Sequence, residues 1–514
     1  MFSKVKSCAV HGVDGRMIDV EADVNDGLPV FTMVGYLSSS VRESSERVRT
    51  ALKNSGFHLP PKRITINLSP ADMRKDGSGY DLAIATAVLL SLGVTAELPM
   101  EQTLVLGELS LDGSIKAIPG VLPMVICARE EGMTSCIVPK ENVQEAALVQ
   151  GISVIGVSSL KETMEYIQEI KEYENTNVEQ PAVDTSEYLY DIDFSDVVGQ
   201  ESIKRGMEIA AAGFHNVLLT GAAGAGKSML AKRLPTILPQ MSFEESLEAT
   251  KIYSVGGMLP PEGGLIHRRP FRAPHHTISE YALIGGGRVP TPGEVSFAHY
   301  GVLFLDELPE FSKPVLEVLR QPLEDRRIRI SRVQASYEFP ADFMFVAAMN
   351  PCPCGNYPDY RRCSCTEQQI RRYQSKVSGP LLDRIDIRME VKGVKQKVLF
   401  SKQKTESSKT IRARVEQARQ MQKERFAGTG LLFNSQLDGK NLEEYITLSE
   451  EGKRLVLQLF EEQELSVRGV HRVLKLARTI ADLAGSEEIE HAHLQEAAFY
   501  RNQDVFAKGV LYGN

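Results

Sequence analysis

Three short stretches carry residue types at spacings that imply chemistry on a nucleotide. Gly221-Ala222-Ala223-Gly224-Ala225-Gly226-Lys227-Ser228 fits G-x-x-x-x-G-K-[ST]. A loop with so little side-chain bulk lets backbone N–H groups close on phosphate oxygens at a helix N-terminus, where the dipole favours negative charge. Lys227 is then placed to reach the β/γ-phosphates, and the Ser228 hydroxyl to hold Mg²⁺. In Val302-Leu303-Phe304-Leu305-Asp306-Glu307, four apolar residues run into two acids. A buried strand of this kind delivers Asp306 to a Mg²⁺ through water and Glu307 to an attacking water. A second apolar run, Phe343 to Met349, ends at Asn350, whose amide can orient the same water. Each stretch has a plain structural alternative: a glycine turn, a strand stopping at solvated acids, a turn residue before Pro351. Their joint presence in this order weighs against all three alternatives.

Directly after Asn350 the chain places four of its seven cysteines, Cys352, Cys354, Cys363 and Cys365, within fourteen residues. Two thiols on each of two short arms can close a tetrahedral S₄ site, and Gly355 permits the tight turn between them. The C-x-C-x8-C-x-C spacing is tighter than the usual C-x2-C of zinc motifs. Zinc is the first assignment; an iron–sulfur cluster and free thiols in a reducing compartment are the alternatives.

Arg326, Arg327, Arg329 and Arg332 fall in the β-patterned stretch RRIRISRVQ. Its bland reading is a solvated strand face paired with Glu324 and Asp325; its functional reading is contact with phosphates. The chain as a whole is acidic, with 514 residues, 42% hydrophobic, 25% charged and a formal net charge of -8. Nucleic-acid contact therefore has to come from a local cluster of this sort. His275-His276 lie in a proline-rich loop, where adjacent rings are expected to splay apart and make polar contacts instead of a chelate.

The residues after MFSKVKSCAV are polar, so no signal-peptide core is expected. The twelve-residue apolar run from Ala83 to Val94 is too short to span a bilayer. Sparse cysteine outside the cluster argues against a secreted disulfide framework. The expectation is a cytoplasmic protein with no membrane contact.

The elements that must position these residues form roughly three domains at this length. Residues 1–170 read as α+β. There is an alternating strand from Arg63, a turn and apolar helix at GSGYDLAIATAVLLSLG, a hairpin turning at Asp112-Gly113, and strands TSCIVPK and SVIGV around the helix VLPMVICAREEG. Residues 171–190 are polar, acidic and aperiodic, a linker. Residues 191–400 alternate strands with helices, which implies an α/β core with a parallel sheet and a site at the strand C-terminal ends. Residues 401–514 are helical and charged, suiting a lid.

The nucleotide motifs in this order resemble an AAA+ ATPase. RPFRAPHHTISEYALIGGG, GEVSFAHYGVLFLDELPEF, LRQPLED, AAMNPCPCG, SGPLLDRID and VRGVHRVLKLARTIADL sharpen this to a resemblance to the magnesium-chelatase-like YifB/ComM family over most of residues 190–510. The loop lacks the proline common in AAA+ P-loops, but Ala222 and Ala223 keep its backbone uncluttered. The resemblance implies an AAA+ core binding ATP and Mg²⁺. It makes Arg384 an arginine finger and Arg468 the lid arginine called sensor 2, with Arg472 competing one turn later. It also implies a homo-hexamer, since a finger serves a neighbour's nucleotide. In related rings the insertion carrying RRIRISRVQ is a pore hairpin, which would put DNA in the ring. The implied activity is strand movement in homologous recombination, as in natural transformation, with recombination proteins as further partners.

MRKDGSGYDLAIATAV resembles the catalytic segment of Lon-type proteases in a ribosomal-S5-like fold. The nucleophile's position is Gly79, with Ser78 one residue early, and the partner lysine's turn offers Leu122. No proteolysis is therefore expected. Two other functions fit the ring: a metallochelatase motor subunit, although no integrin-like metal-binding domain is present in this sequence, and a protein unfoldase or scaffold.

Overall fold

The computed structural model of the chain describes residues 1–169, 190–260, 264–332, 335–359, 361–393, 405–462 and 466–501. The expected linker 171–190 lies outside the described residues except for Tyr190. No helix among the described residues is long and apolar enough to cross a membrane.

The N-terminal part is a mixed seven-stranded sheet. Its order is Phe31–Val34, Arg63–Ser69, Asp14–Asn25, Phe2–His11, Thr103–Val105, Ser135–Pro139, Ser153–Val157. The strand from Arg63, the apolar helix Asp81–Ser91 and the hairpin around Gly113 form as the sequence predicts. That helix is buried nearly all round, and its one acid, Asp81, is held by Arg47 at 2.8 Å. The two long strands Phe2–His11 and Asp14–Asn25 were not expected. They pair antiparallel along their whole length, with Ile18, Val20, Ala22 and Val24 buried and the intervening acids facing outward.

The second part is a five-stranded parallel sheet ordered Phe271–Arg272, Val302–Leu305, Met344–Met349, Val217–Thr220, Ile387–Glu390. The three motif-bearing strands are adjacent and completely buried, so their C-terminal residues emerge side by side. Each buried Val, Leu or Phe here contributes about 1.5–3 kcal/mol. The helices Ser408–Arg425 and Val467–Leu483 pack on helix Glu201–Gly213 and share one core with the sheet.

The two parts are in contact. Val13 is buried beside Phe339 and Phe343, His11 stacks on Tyr337 at 4.5 Å, and Lys251 pairs with Asp14 at 2.8 Å. Between His11 and Val13, Gly12 has φ +70°, and a Cβ there would stand 2.8 Å from the Glu338 carbonyl oxygen. Only glycine allows that approach.

Candidate functional site

Strand Val217–Thr220 feeds the glycine-rich loop, which feeds helix Lys227–Arg233. Gly224 and Gly226 take φ +76° and +96°, and a Cβ on Gly221 would lie 2.2 Å from the Val391 carbonyl oxygen. The loop is thus both left-handed and closely packed, which excludes side chains at these positions. The first N–H groups of the helix have no intrahelical acceptor and point into the loop's cradle. Lys227 Nζ donates to the carbonyls of Gly221 at 2.7 Å and Ala222 at 2.9 Å and to Asn350 Oδ1 at 3.0 Å. Burial pulls its ammonium below the ordinary lysine range, against the pull of Asp306 and Glu307.

Ser228 Oγ donates to Asp306 Oδ2 at 2.5 Å. A hydroxyl and a carboxylate held together form an all-oxygen donor set, which fits a small hard cation such as Mg²⁺. Glu307 is exposed beside them, and its N–H donates to Asp306 Oδ1 at 2.9 Å. Glu307 has φ +53° and ψ +47°, left-handed for a non-glycine residue. Such a conformation costs about 1–3 kcal/mol and persists only where the surroundings impose it. Ala223–Met229, Asp306, Glu307, Met349 and Asn350 together line one pocket of about 300 Å³.

The four cysteines converge, with Sγ atoms all within 4.8 Å of one another. Cys352 is 3.4 Å from Cys354 and 3.8 Å from Cys363, and Cys354 is 3.6 Å from Cys363. A tetrahedral ZnS₄ site with bonds of about 2.3 Å has S–S edges of about 3.8 Å, close to this spacing. The Asn356 and Ser364 backbone N–H groups pull the Cys354 thiol down to about 5, while burial and contact with Cys354 and Cys352 push Cys363 up to about 12 and raise Cys365. Gly355 is where this loop meets the nucleotide pocket: a Cβ on it would be 3.4 Å from the Ala223 nitrogen and 3.8 Å from Asn350 Cγ. Gln374 fixes the loop's start by donating to the Pro351 carbonyl at 2.8 Å.

Arg384 and Arg468 do not line the nucleotide pocket of their own chain. With Arg326, Arg472 and Lys475 they line a separate cavity of about 480 Å³. Arg384 is buried, donates to the Pro380 carbonyl at 2.6 Å, pairs with Glu324, and leaves its Nε without a partner among the described residues. Arg472 is bound to Asp386 at 2.8 Å. Burial alone would raise the Asp386 carboxyl, but His215 and then Arg472 hold it well below the usual range. Arg468 is exposed and has no hydrogen-bond or ion-pair partner among the described residues. Asn216 and Asp386 were missed by sequence reasoning. Asn216 Nδ2 donates to the Arg384 carbonyl at 2.9 Å, and its N–H to Asp386 Oδ2 at 3.1 Å. Nothing local in the sequence marks a residue that bridges two strands.

The basic stretch forms a hairpin, Arg327–Ser331 against Ser336–Pro340. Arg327 and Arg329 are 53% and 60% exposed and share Glu338 at 2.7 and 3.0 Å. Their partner is thus across the hairpin, not Glu324 or Asp325. Arg326 does not join the strand. At φ +54° it ends the preceding helix and turns into the arginine cavity. Arg332, just past the strand, donates to the Gly287 carbonyl at 2.9 Å. The His275 and His276 rings do not splay apart but lie 4.0 Å apart, with His275 Nδ1 2.9 Å from Thr277 Oγ1. In the N-terminal part, Ser78 Oγ donates to Glu108, buried Lys75 donates to the Pro70 carbonyl, and Leu122 is fully buried. No hydrogen bond joins that serine and lysine.

Comparison with known proteins agrees with this geometry. The family described as "Magnesium chelatase, subunit ChlI" matches residues 193–399. "Subunit ChlI of Mg-chelatase" matches 20–142, and "Magnesium chelatase, subunit ChlI C-terminal" matches 405–501. Competence protein ComM of Haemophilus influenzae is 41% identical over 503 residues, 97% of each chain. YifB of Escherichia coli is 40% identical over 506 residues, 98% of this chain and 97% of its own. Lon protease 2 of Bacillus subtilis is 30% identical over 183 residues, 32% of each chain. At such identity over almost the whole length, this chain belongs to the YifB/ComM family of magnesium-chelatase-like AAA+ ATPases.

Proposed function

We propose that the chain is an ATP-hydrolysing motor that assembles as a homo-hexamer and moves DNA strands in homologous recombination, as in natural transformation. The observation that carries this reading is the exposed basic hairpin. Its second strand leads through Ala341–Phe343 into strand Met344–Met349, which ends at Asn350 in the nucleotide pocket. A change around the nucleotide therefore has a short covalent path to two exposed arginines. The name of the competence-protein relative points the same way.

In this reading the loop Gly221–Ser228 cradles the phosphates and Lys227 reaches the β/γ-phosphates. Ser228 and Asp306 hold Mg²⁺, which when bound neutralises charge on the phosphates. Glu307 takes the proton from the attacking water, and Asn350 orients that water. Arg384 stabilises charge on a neighbouring subunit's γ-phosphate. Arg468 acts as the lid arginine, because Arg472 is already committed to Asp386. Cys352, Cys354, Cys363 and Cys365 would hold a zinc, and Gly355 between them sets the loop against Ala223 and Asn350.

The hairpin gives the test. Replacing Arg327 and Arg329 with alanine is expected to weaken DNA binding at every sequence. The slope of log affinity against log salt should become shallower by about 0.7–0.9 for each phosphate no longer neutralised, and ATP hydrolysis without DNA should be unchanged. Glu338→Gln is expected to do the opposite, tightening DNA binding, because it frees two guanidiniums from one carboxylate. ATPase rates and DNA affinities across a salt series check both. A folded, ATP-hydrolysing protein whose rate and affinity ignore DNA and these substitutions would fit a protein-remodelling motor instead.

The cysteine loop gives a second prediction. Purified protein never exposed to chelator is expected to carry about one zinc per chain, with sulfur at about 2.3 Å by X-ray absorption. Cys352→Ser should lose the metal and lower ATP turnover through the packing of Gly355 on Ala223. Metal-free, fully active protein would leave four free thiols as the better account.

A further inference from the structure

A cavity of about 610 Å³ lies between the Lon-like part and the ATPase part, and none of the roles above uses it. Its volume is within the about 300–1,000 Å³ usual for ligand sites. The protease-like segment, through Met73, Arg74 and Asp76–Tyr80, lines it from one side, and the end of the first strand with its turn, Cys8–Gly12, from another. The ATPase contributes Arg288–Thr291, Arg332 and Tyr337.

Four guanidiniums, of Arg16, Arg74, Arg288 and Arg332, face this space, against two carboxylates, of Asp72 and Asp76. Arg74 is neutralised by Asp76 at 3.2 Å. Among the described residues Arg332 bonds a carbonyl and no carboxylate, so its charge is not compensated there. Arg16 and Arg288 have no ion-pair or side-chain hydrogen-bond partner among the described residues. The cavity therefore carries a positive surplus drawn from both parts of the chain. Beside these charges stand Tyr36 and the stacked pair His11 and Tyr337, whose rings are inclined by 23°. Burial, and then Arg16, push the His11 imidazole down, so at neutral pH it offers an uncharged ring face.

Guanidiniums without a carboxylate partner beside aromatic rings are what a single nucleic-acid strand requires: charge for its phosphates and surfaces for its bases. A duplex, whose major groove alone is about 12 Å wide, is too bulky for this volume. An acidic peptide would use the guanidiniums alone, as arginine clusters do with acidic motifs, and would leave the rings of Tyr36, His11 and Tyr337 without a role. Arg332 also follows directly on the basic strand Arg327–Ser331, so the cavity continues the hairpin's charged track.

We propose that this interdomain cavity binds a segment of single-stranded DNA, with phosphates on Arg16, Arg288 and Arg332 and a base against His11 and Tyr337. The inference rests on the reading of the chain as a DNA motor. It gives the inactive Lon-like part a task, holding one separated strand beside the hairpin.

The test uses the full chain with a fluorescent 20-nucleotide oligo-dT and a duplex of equal length. Arg16→Glu and Arg288→Glu alter exposed positions in the two parts of the chain, and neither residue belongs to the nucleotide pocket or to the hairpin strands. Each is expected to weaken oligo-dT binding about fivefold or more and to flatten its salt slope by about 0.7. Duplex affinity and DNA-free ATP hydrolysis should stay at wild-type values. Tyr337→Phe should retain oligo-dT binding and Tyr337→Ala should lose it. A bromodeoxyuridine oligonucleotide should cross-link to peptides holding Tyr36 or Tyr337. The proposal is overturned if both glutamate variants bind oligo-dT like wild type, or if poly-glutamate displaces it from the cavity. Failure of the DNA-motor reading looks different: wild-type protein would then bind neither DNA, and its ATPase would not respond to either.

Discussion

Glu307→Gln is expected to bind ATP as tightly as the wild type while hydrolysing it about 10²–10⁴-fold more slowly, the usual contribution of a general base. The substitution keeps side-chain size and removes only the ability to accept a proton. Lys227, the glycine loop and the Ser228–Asp306 pair stay in place, so the proposed phosphate cradle and Mg²⁺ ligands are untouched. Lys227→Ala should behave differently, losing affinity as well as turnover, because Lys227 is the one cation among the described residues that line the pocket. Fluorescent-nucleotide binding and steady-state ATPase rates separate the two. The left-handed backbone at Glu307 supports the assignment: a strained exposed acid at the end of a buried strand has no evident packing reason to be there. Wild-type turnover in Glu307→Gln would remove Glu307 from the reaction.

How much of this could be read in the sequence depended on whether the signal was local. The strands bearing the nucleotide motifs are short, almost wholly apolar runs that end at polar residues or glycine, and with helical patterns between them they read as buried parallel strands. The hairpin Phe2–Asn25 was hidden because the outer face of its second strand carries Asp19, Glu21 and Asp23, which made the stretch look polar. Its alternation, with Ile18, Val20, Ala22 and Val24 inward, was the signal available. Arginines 326 to 332 look uniform as letters. A single left-handed residue at Arg326 sends one of them into another cavity, and backbone turns of that kind are poorly encoded outside glycine and asparagine. The carboxylate serving Arg327 and Arg329 is set by cross-strand register at Glu338, and Glu324 serves Arg384 instead. Cysteine spacing predicted a cluster, and the thiols do converge. That the cluster's turn rests on Ala223 is an approach of residues more than a hundred positions apart, which spacing does not reveal.

Arg384→Ala is expected to bind ATP normally and hydrolyse it about 10³-fold or more slowly, the scale of an arginine finger. The residue is absent from the nucleotide pocket of its own chain, so a direct role in catalysis requires a second subunit. That requirement makes the prediction separable from a structural one. A ring of Arg384→Ala subunits lacks every finger, and a ring of Lys227→Ala subunits lacks every phosphate lysine. In mixed rings, an interface that joins the pocket of an Arg384→Ala subunit to the finger of a Lys227→Ala neighbour has both groups intact. Mixing the two inactive proteins should therefore restore ATP hydrolysis, with a maximum at intermediate ratios. A structural Arg384 predicts otherwise. Its loss would free Glu324, which is 51% exposed and easily hydrated, and any damage would stay inside each subunit where no neighbour could repair it. Arg384→Lys sharpens the distinction, since lysine keeps the charge but not the planar fork that spans two phosphate oxygens. Absence of rescue at all ratios, in rings shown to be mixed, would return Arg384 to its pairing with Glu324 and leave the finger to be sought among the other arginines of the same cavity.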